Sequence, residues 1–330
     1  MQAAYIHQPG PPESITVGEL PTPQPTGSQV LVKVAAAAVN PIDTYVRSGA
    51  VPMSLPKPYI VGCDLAGVVE AVGPDVKRFK VGDRVWGSNQ GLLGRQGTFA
   101  EYAAVDECWL YGIPYGVSDE AAAAAALVGI TAHLGLVRDA KLRSGESLFV
   151  NGGTGGVGSM VVQMAKVLGA RVVTTAGSDE KVAVCRELGA DLAINYRTED
   201  VAARVKEFAP DGVSVWWETL REPDFEQALS LLSKRGRMIV MAGRDARPPF
   251  PVGPFYVKDC RLVGFAMFNA PPDEQRAAAE DINRWLGTGK LVARIDRTLP
   301  LAETATAHRL QEESTVGKSG ALAGKIVVKP

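Results

Sequence analysis

Period-two alternation of apolar and polar positions opens the segment Gln29–Asn40 (QVLVKVAAAAVN), as expected of a strand buried on one face. Leu65–Gly73 and Gly82–Gly87 have the same strand character, and the pieces PTPQPTG, GPDV and KVGD separate such stretches as turns. Short strands at close spacing predict a β-rich unit, either a sheet or a partly closed barrel, up to about residue 124. From Glu146 the pattern alternates between strand and helix. SLFVN precedes the helical GVGSMVVQMAKVLG, RVVTTA precedes DEKVAVCRELG, DLAIN precedes TEDVAARVKEFA, and VSVWW and FEQALSLLSK lead to GRMIVMAG. Repeated βαβ units with short links predict a parallel sheet covered by helices on both faces. After about Ala270 one helix, DEQRAAAEDINRWLGTG, is followed by two strand-like pieces, ARIDRTLPL and GKIVVKP, that return to the β-rich unit. The expected division is therefore 1–124 with 270–330 as one domain and 125–269 as the other.

Composition adds mainly exclusions. The chain is 46% apolar and 22% charged, with a formal net charge of -1. This is an ordinary globular mix that does not favour nucleic acid or a membrane surface as partner. The N-terminus lacks a basic start followed by a long apolar stretch, and the apolar run at Ala121–Val128 is too short to span a bilayer, so a cytoplasmic protein is expected. The four cysteines, Cys63, Cys108, Cys185 and Cys260, form no C-x-x-C pair and read as buried small hydrophobes rather than a disulfide framework or a zinc lobe. His7, His133 and His308 are scattered and suggest neither a triad nor metal-ligand spacing.

The strongest chemical signal is Phe149–Gly158, FVNGGTGGVG, in which Gly152, Gly155 and Gly158 form G-x-x-G-x-x-G between a strand and an apolar helix. Gly155, Gly156 and Val157 would let backbone approach a pyrophosphate at the helix N-terminus, and Gly158 would allow close helix–strand packing. The next strand ends in Ala176-Gly177-Ser178, where an NAD-preferring site usually carries an acid for the ribose 2′-hydroxyl. Its absence predicts NADPH, with Ser178 and Lys181 on the 2′-phosphate. The alternatives are a plain helix N-cap for Ser178 and a solvated lysine for Lys181.

Asn40-Pro-Ile-Asp-Thr-Tyr-Val-Arg-Ser-Gly49, Gly62-Cys-Asp-Leu-Ala-Gly-Val-Val-Glu-Ala-Val-Gly73, Gly82-Asp-Arg-Val85, Gly97-Thr-Phe-Ala-Glu-Tyr102 and the glycine turn, in this order, resemble the zeta-crystallin-type NADPH:quinone oxidoreductases, a zinc-free branch of the medium-chain dehydrogenase/reductase superfamily. The resemblance implies an α/β protein with a groES-like β-rich catalytic domain, a Rossmann-type doubly wound parallel sheet, and an active site in the cleft between them. It places Asn40, Asp43, Tyr45 and Arg47 near the acceptor. Asn40 and Tyr45 would donate to a developing oxyanion, Tyr45 is the better proton donor, and Asp43 would fix Arg47 or a loop by an ion pair. It places Thr131 at the nicotinamide, Tyr196 at the adenosine phosphate, Gly243, Phe265 and Met267 at strand ends lining the nicotinamide pocket, and Lys318 close to a basic phosphate contact. Structural alternatives are a half-buried wall residue for Tyr45, a capping carboxylate for Asp43, a helix-interior threonine for Thr131 and a packed tyrosine for Tyr196.

Zinc-dependent relatives carry Cys where this chain has Asn40, His where it has Cys63, and Cys or Asp near Leu127. Cys63 and Asp64 leave at most a partial site, so no metal is expected. The resemblance implies a quinone as acceptor. The alternatives are reduction of activated C=C bonds in enones or enals, and a non-catalytic NADPH-binding protein with a structural or RNA-contacting role. It also implies a homodimer, for which Arg261–Phe265 is the candidate sheet edge.

Overall fold

The structure, a computed structural model, describes residues 1–317 and 319–330, so the expectation for Lys318 lies outside the described residues. It divides into two compact units, Met1–Ile130 with Ala270–Pro330, and Thr131–Asn269.

The first unit is β-rich. Strands β1 (Gln2–Ile6), β2 (Thr16–Glu19) and, later in the chain, β4 (Tyr59–Ile60) form a small antiparallel sheet around β1. Strand β3 (Gln29–Ala38) leads into helix α1 (Pro41–Ser48) and lies at the centre of a seven-stranded sheet. This sheet also holds β5 (Leu65–Val72), β6 (Arg84–Gly87), β7 (Tyr102–Asp106) and β8 (Leu110–Gly112). Local chemistry fixes α1. Pro41 occupies its first turn, where a missing N–H costs nothing, and Gly49 at φ 81° ends it in the left-handed region.

Helix α2 (Asp119–His133) continues through a wider π-helical stretch, Leu134–Asp139. The apolar run at 121–128, expected to be too short for a bilayer, thus belongs to a 21-residue helical segment, Asp119–Asp139. That segment is long and apolar enough to cross a membrane, but 78% of its apolar window is buried inside the protein, which accounts for its composition. The unit boundary falls within this helix, after Ile130 rather than after residue 124, because the run of alanines does not break it.

The second unit holds β9 (Ser147–Val150), α3 (Gly156–Val167), β10 (Arg171–Ala176), α4 (Asp179–Glu187), β11 (Leu192–Asn195), α5 (Val201–Phe208), β12 (Val213–Glu218), α6 (Phe225–Leu231), β13 (Leu232–Val240), α7 (Val252–Val257) and β14 (Arg261–Gly264). All six strands are parallel, in the order β11-β10-β9-β12-β13-β14. The order reverses between β9 and β12, which is the switch point where doubly wound sheets bind ligands at their carboxyl ends. Phe149 and Trp216 stack beneath it with ring centroids 3.9 Å apart.

The chain then returns to the first unit through α8 (Pro272–Gly287), β15 (Ile295–Pro300), α9 (Thr304–Thr315) and β16 (Lys325–Lys329). Helix α9 corrects the expectation of one helix after residue 270. Its sequence, TATAHRLQEEST, lacks an apolar stripe, and it is held by burying Thr304, Ala307, His308 and Gln311.

Candidate functional site

Tight packing shapes the glycine turn after β9. A Cβ on Gly158 would lie 2.1 Å from the Gly152 carbonyl oxygen, and one on Gly153 would lie 2.5 Å from Thr174 Oγ1. Gly152 itself adopts φ 68°, and its N–H donates to Thr175 Oγ1 at 3.1 Å. By contrast, Gly155 is exposed and is the N-cap of α3, where as a glycine it supplies no side-chain cap to the first N–H groups of that helix. Gly156 and Val157, the first residues of α3, are half-buried.

The turn is braced by residues the sequence reading did not single out. Glu218, buried at the end of β12, accepts from Asn151 Nδ2 at 3.0 Å and from the Leu220 N–H at 2.7 Å. The Thr219 hydroxyl donates to the Asn151 carbonyl at 2.9 Å. Burial pushes the Glu218 carboxyl up, and these donors pull it back. A strand-end acid behind VSVWW was the available signal.

At the end of β10, Ser178 is the N-cap of α4, its hydroxyl accepting from the Lys181 N–H. Tyr196 is 53% exposed, and its phenol oxygen would come within 2.6 Å of a Cβ on Gly177. Gly177, Ser178, Lys181 and Tyr196 therefore form one corner, with no acid at the strand end. The acids Asp179 and Glu180 begin the helix; Asp179 accepts from Asn195 Nδ2 at 2.7 Å, and the Ser178 hydroxyl holds Glu180 below the usual carboxylate range.

Other expected cofactor residues are scattered within this unit. Thr131 is buried in α2. Gly243, at φ 85°, runs so close to the Arg221 backbone that a Cβ would lie 2.7 Å from its carbonyl oxygen. Phe265 packs edge-on to Trp217 at 6.3 Å and beneath Arg138, and Met267 is buried.

In the first unit the start of α1 is a buried polar cluster. Asn40, Asp43, Cys63, Asp64, Ser88 and Lys325 are all at most 4% exposed. The Asn40 N–H donates to Asp43 Oδ2 at 2.7 Å, which makes Asp43 a capping carboxylate. Asn40 Nδ2 donates to the Ala38 carbonyl at 3.2 Å and to Asp64 Oδ2 at 2.8 Å, and its Oδ1 accepts from Lys325 Nζ. Both amide hydrogens are thus engaged inside the unit, which runs against the expected donor role of Asn40; Tyr45 is half-buried on α1. Burial raises the Asp43 carboxyl to about 7, against the opposing hydrogen bond from Cys63; it also raises Asp64 and lowers Lys325.

Arg47 corrects a second expectation. It pairs with Glu312 on α9 and donates to the Gly10 carbonyl at 2.6 Å, so its ion pair is not with Asp43. The reason is directional: Asp43 turns back to cap the helix, while Arg47 in its last turn reaches α9.

A β-rich unit of GroES type together with a doubly wound sheet bearing a glycine turn is the architecture of the nicotinamide-dependent medium-chain dehydrogenase/reductases. Residues 26–115 match the alcohol dehydrogenase GroES-like domain, and residues 156–284 match the zinc-binding dehydrogenase family. The chain is 32% identical to human quinone oxidoreductase over 99% of its own length and 97% of that protein. It is 39% identical to the chloroplastic NADPH-dependent alkenal/one oxidoreductase of Arabidopsis thaliana over 69% of the chain and 58% of the relative. The crystal structure of Escherichia coli quinone oxidoreductase complexed with NADPH superposes with a TM-score of 0.86 at 27% identity, covering 100% of both chains. The chain belongs to the quinone oxidoreductase family of this superfamily. It is an oxidoreductase whose parallel-sheet unit binds a nicotinamide dinucleotide.

The second family name implies zinc, and the residues present do not fit it. By the resemblance the ligand positions of zinc-dependent relatives fall on Asn40, Cys63 and near Leu127, and in the structure a lysine ammonium contacts the Asn40 carboxamide. Among the described residues no group of three His, Cys, Asp or Glu side chains could hold a metal ion.

Proposed function

We propose that the protein is a zinc-independent NADPH:quinone oxidoreductase. The observation that supports this reading is the cluster at residue 40, where a buried ammonium donates to the Asn40 carboxamide and, among the described residues, no group of three His, Cys, Asp or Glu side chains gathers. Without a Lewis acid, the acceptor has to take hydride readily, as a quinone does. Gly155, Gly156 and Val157 hold the pyrophosphate against α3, and Gly152 and Gly158 keep the turn in place. Thr131, Gly243, Phe265 and Met267 serve the nicotinamide end. Ser178, Lys181 and Tyr196 take the 2′-phosphate, a role favoured by the missing strand-end acid. When bound, the cofactor supplies the hydride. The Tyr45 phenol donates a hydrogen bond to the oxygen that gains charge on the acceptor, and Asn40, Asp43 and Arg47 hold α1 in position.

The test is NADPH consumption by chelator-treated protein with a quinone series and an enone series. Turnover on quinones with no metal present supports the reading. Activity that disappears with chelation and returns with zinc overturns it. The Arabidopsis relative favours a second reading, reduction of an activated C=C bond, in which Tyr45 serves the enone oxygen in the same way. Faster turnover across the enone series would select it.

A further inference from the structure

Lys325 stands opposite Asn40. Val327 pairs with Ala38 and Val328 with Ala37 in an antiparallel ladder, and the Val39 N–H donates to the Ile326 carbonyl at 2.9 Å. Continuing that register sets residue 325 beside residue 40. The rest of this strand up to Val328 is Ile326, Val327 and Val328, each fully buried, so an apolar residue would suit position 325 on packing grounds. Instead an ammonium is buried there, at a desolvation cost that only close partners offset. Its Nζ donates to the Val39 carbonyl and to Asn40 Oδ1. On the other side of Asn40, the amide donates to Asp64, whose second oxygen accepts from Ser88 Oγ at 2.6 Å. The Leu127 backbone also reaches the Asp64 carboxyl. Lys325, Asn40 and Asp64 thus form a chain from cation to amide to anion, with the carboxamide orientation set by a charge at each end.

We propose that Lys325 is the positioning cation of this cluster: its ammonium orients Asn40 between itself and Asp64 and so fixes the start of α1 and Tyr45. The part concerning Tyr45 rests on the function proposed above; the charge chain does not. Lys325 touches no reacting atom in this scheme. It acts through Asn40, whose backbone N–H also anchors the Asp43 cap.

The test compares Lys325→Met with the double variant Lys325→Met/Asp64→Asn in the full-length protein. The assay uses whichever acceptor the wild type reduces fastest, so failure of the quinone reading leaves the comparison intact. Lys325→Met keeps the packing but strands Asp64 without a counter-charge. It is expected to lower both Tm and kcat, the latter by about tenfold or more, with KM for NADPH changed less than about twofold. The double variant removes the stranded charge, while the carboxamide introduced by Asp64→Asn can still accept from Asn40 and donate to Ser88. It is expected to recover Tm but not kcat, because Asn40 Oδ1 still lacks its donor. Near-wild-type kcat in Lys325→Met overturns the proposal. So does a double variant that recovers kcat together with Tm, since Lys325 would then be only a charge compensator. If Lys325→Met does not fold, the kcat of the double variant decides. A stoichiometric zinc ion in the wild-type protein, essential for activity, would also overturn it.

Discussion

The phenol oxygen of Tyr196 lies against Gly177, so close that a Cβ on that glycine would come within 2.6 Å of it. The contact brings a hydroxyl from the end of β11 to the Ser178 N-cap at the end of β10. A phosphate there would have the phenol, the serine hydroxyl and the first N–H groups of α4 as donors, with Lys181 as counter-charge. NADPH is therefore expected to be preferred over NADH in kcat/KM. Lys181→Ala and Tyr196→Phe should each raise KM for NADPH several-fold and leave that for NADH nearly unchanged, because only NADPH carries the extra phosphate. Equal kcat/KM for the two cofactors in the wild type would sink the assignment, as would variants that weaken both alike.

The glycine turn and the parallel-sheet unit were legible in the sequence because their physics is local. A strand, a turn that excludes Cβ and an apolar helix follow one another within Ser147–Val167, a span that pattern reading resolves well. Gly158 is the clearest case: the expected need for a missing side chain there is met at the turn, where a Cβ would lie 2.1 Å from the Gly152 carbonyl oxygen. Helix α9 was not legible, since tertiary burial of threonines and His308 holds it rather than an apolar stripe. The cluster at Asn40 was half legible. Its sequence string marked the segment as a site by resemblance, but the partner that occupies the carboxamide is 285 residues away and looks like an ordinary strand lysine. Arg47 illustrates the same limit, with its charge partner, Glu312, in another segment.

His308 gives the protein an acid-sensitive core. The ring is fully buried edge-on to Phe99, with centroids 5.9 Å apart, and neither ring nitrogen has a hydrogen-bond partner among the described residues. Burial, aided by the Arg47 charge, lowers its pKa from 6.5 to about 3. The unfolded chain therefore binds a proton that the folded chain refuses between those two values. Stability is at its full value above pH 6.5 and is lost as pH falls toward 3, by about 1.4 kcal/mol per pH unit for one proton. Denaturant unfolding at pH 7.5 and at pH 5 should differ, and His308→Gln should flatten that difference. A pH dependence unchanged in the variant would show that other groups cause it.

The sheet edge suggests self-association. Strand β14 ends the parallel sheet with Leu262 41% exposed, and Tyr256 and Val257 of the preceding α7 are each 66% exposed. An apolar edge with unpaired backbone groups is an aggregation hazard unless it is paired. A homodimer formed edge to edge through β14 is the expected state. Leu262→Lys should shift light-scattering mass toward the monomer at micromolar concentration. A wild-type protein already monomeric at that concentration would refute the pairing.

The reaction itself is tested at Tyr45. The two units divide the work in this reading: the glycine turn and the corner at Ser178 hold the cofactor, and α1 serves the acceptor. Tyr45→Phe removes the phenol donor and keeps the ring, so it should lower kcat with a quinone while leaving NADPH affinity, read by fluorescence quenching, almost unchanged. Losing a well-placed donor to a developing oxyanion costs about 3 kcal/mol, or about a hundredfold in rate. A quinone accepts hydride readily and an enone less so, so the loss should be larger on the enone. Asn40→Ala reaches the same chemistry by another route. It leaves Lys325 and Asp64 without the amide between them. It should therefore lower Tm as well as kcat. If Tyr45→Phe retains full turnover on both acceptor classes, the phenol is only a wall of the site and the reaction proceeds by positioning alone.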